Sequence, residues 1–466
     1  MQPVLLVDVV GLTPRLVSGH APNLADLGKH GAIAPMSTVL PAVTCSAQAT
    51  MLTGLLPSAH GAVGNGWLDR ASGEVALWRQ SNALVEGEKV YETARKIDPT
   101  FTCAKLFWWW NLGAAVDWSI TPRPFYPSDG RKIPAIYSWP TEFGEGMERA
   151  LGAFPFFDFW GPKSGLPSSR WIADAAIRTL EEQKPSLTLV YLPHLDYDFQ
   201  RFGPDDPRAL RAVAEIDAVF ADLRKAAENA GAEIVVVSEY GIERAETPID
   251  VNRALRRSGL LAARATPAGE VLDVFGSRAF AVADHQVAHV YVKSRDALEH
   301  ARAVVLALPG VELVLDGEEK REVGLDHPRA GDLVAIARPG TWFTYYYWLD
   351  DDAEPDFART VDIHRKPGYD PCELFVDPKI AVPAARVALR LAQKKLGMRY
   401  LMDVIPTDAR LVRGSHGRFP DDPRDGPVFL CSRPFGACGP APSGERVEME
   451  SVKSRVLELL QRRPDR

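Results

Sequence analysis

No apolar run in this chain approaches the roughly 20 residues that a helix needs to cross a bilayer, and no basic cluster precedes the short Pro3-Val4-Leu5-Leu6-Val7 stretch near the N-terminus. A membrane-spanning helix and a secretory leader are both excluded as readings, so the expected location is the cytoplasm. Cysteine is scarce: Cys45, Cys103, Cys372, Cys431 and Cys438 are an odd number, thinly spread, with no Cys/His spacing of a zinc finger. That argues against a disulfide framework and for a reducing compartment. Blocks of like charge are missing too, since 54 Lys and Arg are interspersed with 61 Asp and Glu for a net charge of -7. Without a basic face, a nucleic acid duplex is not an expected partner. Internal repeats and low-complexity tracts are also absent.

What is present is apolar mass: 46% of the 466 residues are hydrophobic, enough for a large core and more than one simple domain needs. Short β-branched runs bounded by turn residues predict buried parallel strands at Val4–Val9, Leu187–Leu192, 233–238 and 427–431. Amphipathic patterns between them predict helices at 168–182, 207–230, 384–396 and 446–462, with shorter ones at 23–30 and 252–258. The alternation predicts an α/β fold with a mostly parallel central sheet flanked by helices. Two stretches break the rhythm. Residues 107–139, rich in aromatics and proline, read as a lid-like excursion. Residues 266–399 hold shorter, more alternating strands and read as an inserted α+β subdomain, leaving 1–265 and 400–466 as the core.

Asp8 ends the first apolar strand and is followed by Gly11, which places its carboxylate at the carboxyl edge of the sheet, where α/β sites form. The simpler account is a turn or capping residue. Leu40-Pro41-Ala42-Val43-Thr44 then leads into a small-residue helix that stops at Gly54, with Thr44 at its N-terminus. A hydroxyl there faces free backbone N–H groups and the positive helix end, which suit a phosphate under attack; the alternative is an ordinary N-cap.

A strand-ending Asp followed about 35 residues later by Pro-x-x-Thr, a helix closed by Thr53-Gly54, and Pro57-Ser58-Ala59-His60-Gly61 through Asn65 resembles the type I phosphodiesterase and nucleotide pyrophosphatase family of the alkaline phosphatase superfamily. The resemblance implies an alkaline-phosphatase-like core and a metal-dependent hydrolase of phosphodiester or pyrophosphate bonds. By the same resemblance, Thr44 is the nucleophile and a metal ligand, and Asn65 contacts the phosphoryl oxygens. His60 reads as ordering its turn.

The block Val190-Tyr191-Leu192-Pro193-His194-Leu195-Asp196 is similar to another family element and makes Asp196 a metal ligand, but the family's next histidine is Gln200 here. Ser238-Glu239-Tyr240-Gly241 matches the strand that the family follows with Asp-His-Gly. Glu239 can still ligate through oxygen, whereas Tyr240 stays a phenol at neutral pH. His416, before Gly417, stands for the remaining family histidine. The implied ligand set is thus Asp8, Thr44, Asp196, Glu239 and His416, with Gln200 and His364 as further candidates. One or two divalent ions are implied, zinc by resemblance, while an oxygen-rich set suits manganese, magnesium or calcium.

Two elements outside the pattern carry imidazoles: Asp284-His285-Gln286-Val287-Ala288-His289 and Asp362-Ile363-His364. On strands His285 and His289 stand roughly 13 Å apart, too far to share a metal, so they read as structural, with replacement of the missing family imidazoles by either element as the alternative. Asp362 and His364 point the same way on an extended segment. Trp108, Trp109, Asn111 and Arg123 are the substrate-contact candidates of the aromatic stretch, unless the tryptophans pack the excursion itself. Two rivals stay open: a binding or scaffold protein in which Gln200 and Tyr240 have ended catalysis, and a phosphonate or phosphomonoester hydrolase of the same superfamily. The expected partner is a small phosphate ester.

Overall fold

The computed structural model describes residues 1–128, 132–442, 444 and 446–462; residues 129–131 of the aromatic excursion lie outside it. Two sheets organise the chain. Their strands are β1 (Val4–Val9), β2 (Ala32–Pro35), β3 (Cys103–Leu106), β4 (Trp118–Pro122), β5 (Ile136–Trp139), β6 (Leu187–Leu192), β7 (Glu233–Val237), β8 (Ala279–Asp284), β9 (Val287–Val292), β10 (Val311–Leu315), β11 (Leu333–Ala337) and β12 (Val428–Cys431).

The central sheet runs β2-β12-β7-β1-β6-β3-β4-β5. From β7 to β4 the ladder is parallel. Every residue of β1 and β6 is buried, as strands covered on both faces must be. The helices that matter for the site are α1 (Thr44–Thr53), α2 (Leu166–Glu182), α3 (His194–Phe202) and α4 (Pro207–Asn229). Asp206 starts α4 by accepting the Arg208 N–H at 2.8 Å, with proline in the first turn, where its missing N–H costs nothing. The other expected helices appear at Pro22–His30, Val251–Arg257, Pro383–Lys395 and Ser451–Leu460. Among the described residues, no helix is long and apolar enough to cross a membrane.

Two sequence readings change. The strand near residue 428 is antiparallel to both β7 and β2, not parallel, because an apolar run records burial and not chain direction. The stretch 107–139 is in part sheet: β4 adds to β3 in parallel and β5 closes that edge antiparallel.

The second sheet, β8-β9-β11-β10, is antiparallel throughout. One apolar cluster fills the space between the central sheet and its helices. A second gathers around the antiparallel sheet and takes in Ala62, Val63, Trp67, Trp109 and Trp110 from the first quarter of the chain. Asp284 pairs with Val287, so only His285 and Gln286 join β8 to β9. Such two-residue hairpins demand a left-handed backbone that asparagine or glycine usually supplies; here His285 takes it, at φ 58°. A bulky residue in that region marks a site where surrounding contacts hold the backbone in place.

Candidate active site

Asp8 lies level with Tyr191 of β6 and Val237 of β7, so its carboxylate emerges at the carboxyl edge of the parallel strands. Glu239 follows two residues past β7. The glycine after Tyr240 is required, since a Cβ on Gly241 would lie 1.7 Å from the Asp425 carbonyl oxygen. Asp196 sits in the first turn of α3, directly beyond β6.

Thr44 is the first residue of α1, but Val43 holds the cap position and no side chain of the helix caps it. The cap comes from Asn65, whose Oδ1 accepts the Cys45 N–H at 3.0 Å. The Thr44 hydroxyl is therefore free of helix duty and stands 3.2 Å from the Tyr240 hydroxyl, which in turn reaches Asp196 Oδ1 at 3.5 Å.

Two glutamines bind the acids. Gln48, one helical turn beyond Thr44, donates from Nε2 to Glu239 Oε1 at 2.7 Å and to Asp8 Oδ2 at 3.3 Å, while its Oε1 accepts the Trp109 N–H at 2.6 Å. Gln200, one turn beyond Asp196, donates to Asp196 Oδ2 at 2.8 Å and accepts the Tyr369 hydroxyl at 2.9 Å.

The imidazoles form a column. His416 stacks on Tyr240 with ring centres 3.5 Å apart and lies 3.8 Å from His285, whose other face meets Tyr369 at 3.7 Å. His416 Nδ1 donates to the Ala42 carbonyl at 2.7 Å, leaving Nε2 as a lone pair 3.7 Å from Asp196 Oδ1. Asp284 accepts the backbone and side-chain N–H groups of Asn65 at 2.8 and 3.1 Å and contacts His285 Nδ1 at 2.9 Å.

The site is strongly acidic and buried. Asp8, Glu239, Asp196 and Asp284 are all buried, and among the described residues no lysine or arginine forms an ion pair with any of them. Burial, then the neighbouring Glu239, pushes Asp8 well above the usual carboxylate range. Burial likewise raises Glu239 and Asp284 and takes Asp196 up to about 7. It holds His285 and His416 well below the usual imidazole value, hence neutral, and keeps Tyr240 a phenol. Carboxylates packed this way call for a cation or for protons.

Among the described residues, the buried atoms of the site without a hydrogen-bond partner include Asp8 Oδ1, Glu239 Oε2, His416 Nε2 and His285 Nε2. Among the described residues, no three His, Cys, Asp or Glu side chains are arranged to hold one metal ion. The available donors therefore fall in pairs: the bare Asp8 Oδ1 and Glu239 Oε2, and the bare His416 Nε2 with Asp196 Oδ1, which accepts only the long contact from the Tyr240 hydroxyl. A closed zinc site needs four ligands, usually nitrogen or sulfur. Paired oxygen donors fit a hard divalent ion that keeps waters and takes substrate oxygens.

Other candidates stand apart. The Trp108 indole donates to the Val190 carbonyl at 2.9 Å inside the first core, and Asn111 Nδ2 ties the carbonyls of Lys105 and Ile120 at 3.2 and 3.3 Å, so both hold the loop that delivers Trp109. Trp109 reaches the site through its backbone. Arg123 is exposed. His364 is exposed beside Tyr126, and among the described residues no hydrogen bond or ring contact joins it to Thr44, Asp196 or His416. His60 bridges Thr50 and the Ala62 N–H, and His289 bridges Val63 and Gly331, so both order backbone. Sequence reasoning missed Gln48 and Tyr369 as site residues, and it favoured a structural role for the Asp284-His285 element. The available signal for Gln48 was its position four residues after Thr44 on one helix face.

The family model for type I phosphodiesterase / nucleotide pyrophosphatase matches residues 4–370. The match runs through most of residues 266–399, which the sequence reading took as an insertion, and it stops short of His416. A Schizosaccharomyces pombe protein described as an uncharacterized pyrophosphatase/phosphodiesterase is 26% identical over 251 residues, 51% of this chain; the chain spans 44% of that relative's length. Among solved structures, phosphonoacetate hydrolase from Sinorhizobium meliloti, in complex with phosphonoformate, is similar with a TM-score of 0.60 and 16% identity, over 98% of this chain and 96% of that one. Murine ectonucleotide pyrophosphatase / phosphodiesterase 5, an inactive threonine-to-alanine variant in complex with AMP, is similar with a TM-score of 0.59 and 16% identity, over 100% of this chain and 96% of that one. These structures establish the alkaline-phosphatase-like fold, and the family match covers well over half the sequence: the chain belongs to the type I phosphodiesterase / nucleotide pyrophosphatase family.

Proposed function

We propose that this protein hydrolyses phosphoric or phosphonic esters of small molecules, with Thr44 as the attacking hydroxyl and a divalent cation seated against Asp8 and Glu239. The observation that carries the reading is the freedom of the Thr44 hydroxyl: Asn65 caps α1 in its place, and it stands at the positive end of a ten-residue helix beside Tyr240. A bound cation supplies positive charge opposite the phosphoryl oxygens, which a pocket of four buried acids otherwise repels. The Thr44 oxygen forms the new bond to phosphorus as the leaving oxygen departs. Its proton has a path through the Tyr240 hydroxyl to Asp196 Oδ1. Water then releases the phosphoryl group from Thr44. Small molecules with a phosphate or phosphonate group occur in the neighbours, AMP in one and phosphonoformate in another.

Five buried, unpaired cysteines support a reducing, cytoplasmic location. A second reading, ligand binding without turnover, is favoured by Gln200 and Tyr240 standing where the family pattern has histidine. The test is hydrolysis of bis-p-nitrophenyl phosphate and p-nitrophenyl phenylphosphonate by metal-stripped protein resupplied with manganese, magnesium or zinc, for wild type and Thr44→Ala. Turnover that appears with manganese or magnesium and disappears in Thr44→Ala supports the hydrolase. Absence of turnover with every ion, together with retained AMP binding, establishes the binding protein.

A further inference from the structure

Gln48 touches no bare atom of the site, yet it is entirely buried and all its hydrogen-bonding capacity points at the machinery. The Trp109 backbone N–H must be met by an acceptor, so the amide oxygen of Gln48 faces Trp109 and its NH2 group faces the carboxylates. Each of its two protons then holds one oxygen: Oδ2 of Asp8 and Oε1 of Glu239. The oxygens left without a partner are the other member of each carboxylate, Asp8 Oδ1 and Glu239 Oε2.

Gln200 repeats the arrangement. Its NH2 group holds Asp196 Oδ2, since an amide oxygen and a carboxylate oxygen do not face each other at 2.8 Å, and its own oxygen is fixed by Tyr369. Asp196 Oδ1 is left toward His416 Nε2. In both places a glutamine on the same helix face as a functional residue ties one carboxylate oxygen and turns the other inward.

We propose that Gln48 and Gln200 are positioning residues, each fixing one oxygen of its carboxylate partners so that the donors are presented to divalent cations in two pairs, Asp8 Oδ1 with Glu239 Oε2 and Asp196 Oδ1 with His416 Nε2. The amides carry no charge, so they orient the acids without neutralising them and leave the net negative charge for the ion. Trp109 and Tyr369 set the amides in turn, which gives the aromatic loop and the segment before Asp370 a part in cation affinity although neither contributes a donor atom to the ion. The inference rests on the cation in the proposed function and goes beyond it in assigning the residues that shape the site.

The test is manganese binding to the full-length protein, followed by electron paramagnetic resonance of free Mn2+ and by calorimetry, for wild type, Gln48→Met and Gln200→Met. Methionine matches glutamine in length and removes both donors. Loss of a group that orients metal ligands typically weakens affinity by about 10- to 100-fold, and a drop of that size in either variant, with wild-type circular dichroism, is the expected result. Restoration of affinity in Gln48→Asn or Gln200→Asn, relative to the methionine variant, would further support donor positioning. If Gln48→Met does not fold, Gln200→Met decides. Wild-type affinity in the folded methionine variants overturns the positioning role while leaving the hydrolase intact; no manganese binding by wild type overturns both the positioning role and the cation of the proposed function.

Discussion

The two sheets serve the same site by different means. In the parallel sheet, β1, β6 and β7 all end at one edge, so Asp8, Asp196 and Glu239 arrive together as a consequence of topology. An antiparallel sheet has no such edge, because neighbouring strands end at opposite sides. Its contribution comes from a turn, and β8 and β9 deliver Asp284 and His285 only by holding His285 in a left-handed conformation. Strand ends bring acids at no conformational cost; the hairpin brings a clamp for Asn65 at the cost of backbone strain.

Thr44→Ala tests the parallel half most severely: hydrolysis of the diester substrate is expected to fall about a thousandfold or more while circular dichroism and AMP binding persist. A residual rate within tenfold of wild type would remove Thr44 from its role. Next in size is Asp284→Ala, which leaves two N–H groups of Asn65 without an acceptor in a buried place. The expected loss is about 2–4 kcal/mol of stability in urea unfolding and about 10- to 100-fold in kcat/KM. If activity survives, the antiparallel sheet is a passive neighbour and the comparison fails.

Lys105 offers a pH-dependent contrast within the parallel sheet. It is fully buried on β3, donates to the Trp110 carbonyl at 2.7 Å, and is lowered by burial to about 7. Between pH 7 and the ordinary lysine value of about 10.4 the unfolded chain holds a proton that the folded chain has released, so stability rises with pH across that window; below 7 the penalty of the buried charge is fully present. Lys105→Met is expected to stabilise the fold at pH 6 by on the order of 2 kcal/mol and to flatten the rise above pH 7, as read by chemical denaturation at several pH values. An unchanged slope would mean Lys105 keeps its proton. The smallest effects are expected at His364 and Arg123. Alanine at either should alter kcat/KM by less than about threefold; a larger loss would bring the aromatic excursion into the substrate contact from which its exposed position separates it.

The fold class was legible because β1 and β6 are buried apolar runs interrupted only by Asp8 and Thr188, and their bounds in the structure equal those read from the pattern. The strands beyond β6 were not. β3 carries a lysine in a buried position and β4 mixes serine, threonine and proline with its apolar residues, so neither shows the expected run. Residues of the site on helix starts and strand ends, Asp8, Thr44, Asp196 and Glu239, were legible by resemblance, and the structure brings them together with Asn65, Gln200 and His416. Asp284 and His285 were hidden because the strand pattern around them suggested packing, and a turn between two strands gives no sign of which distant segment it will touch.

The clamp on Asn65 has a dynamic consequence. The Asn65 amide proton is held by a carboxylate from the other sheet, so its exchange with solvent deuterium records whether that sheet is docked. Slow exchange at this one position, compared with amides inside β8 and β9, reports the lifetime of the assembled site, and any ligand that tightens the junction of the two sheets lengthens it.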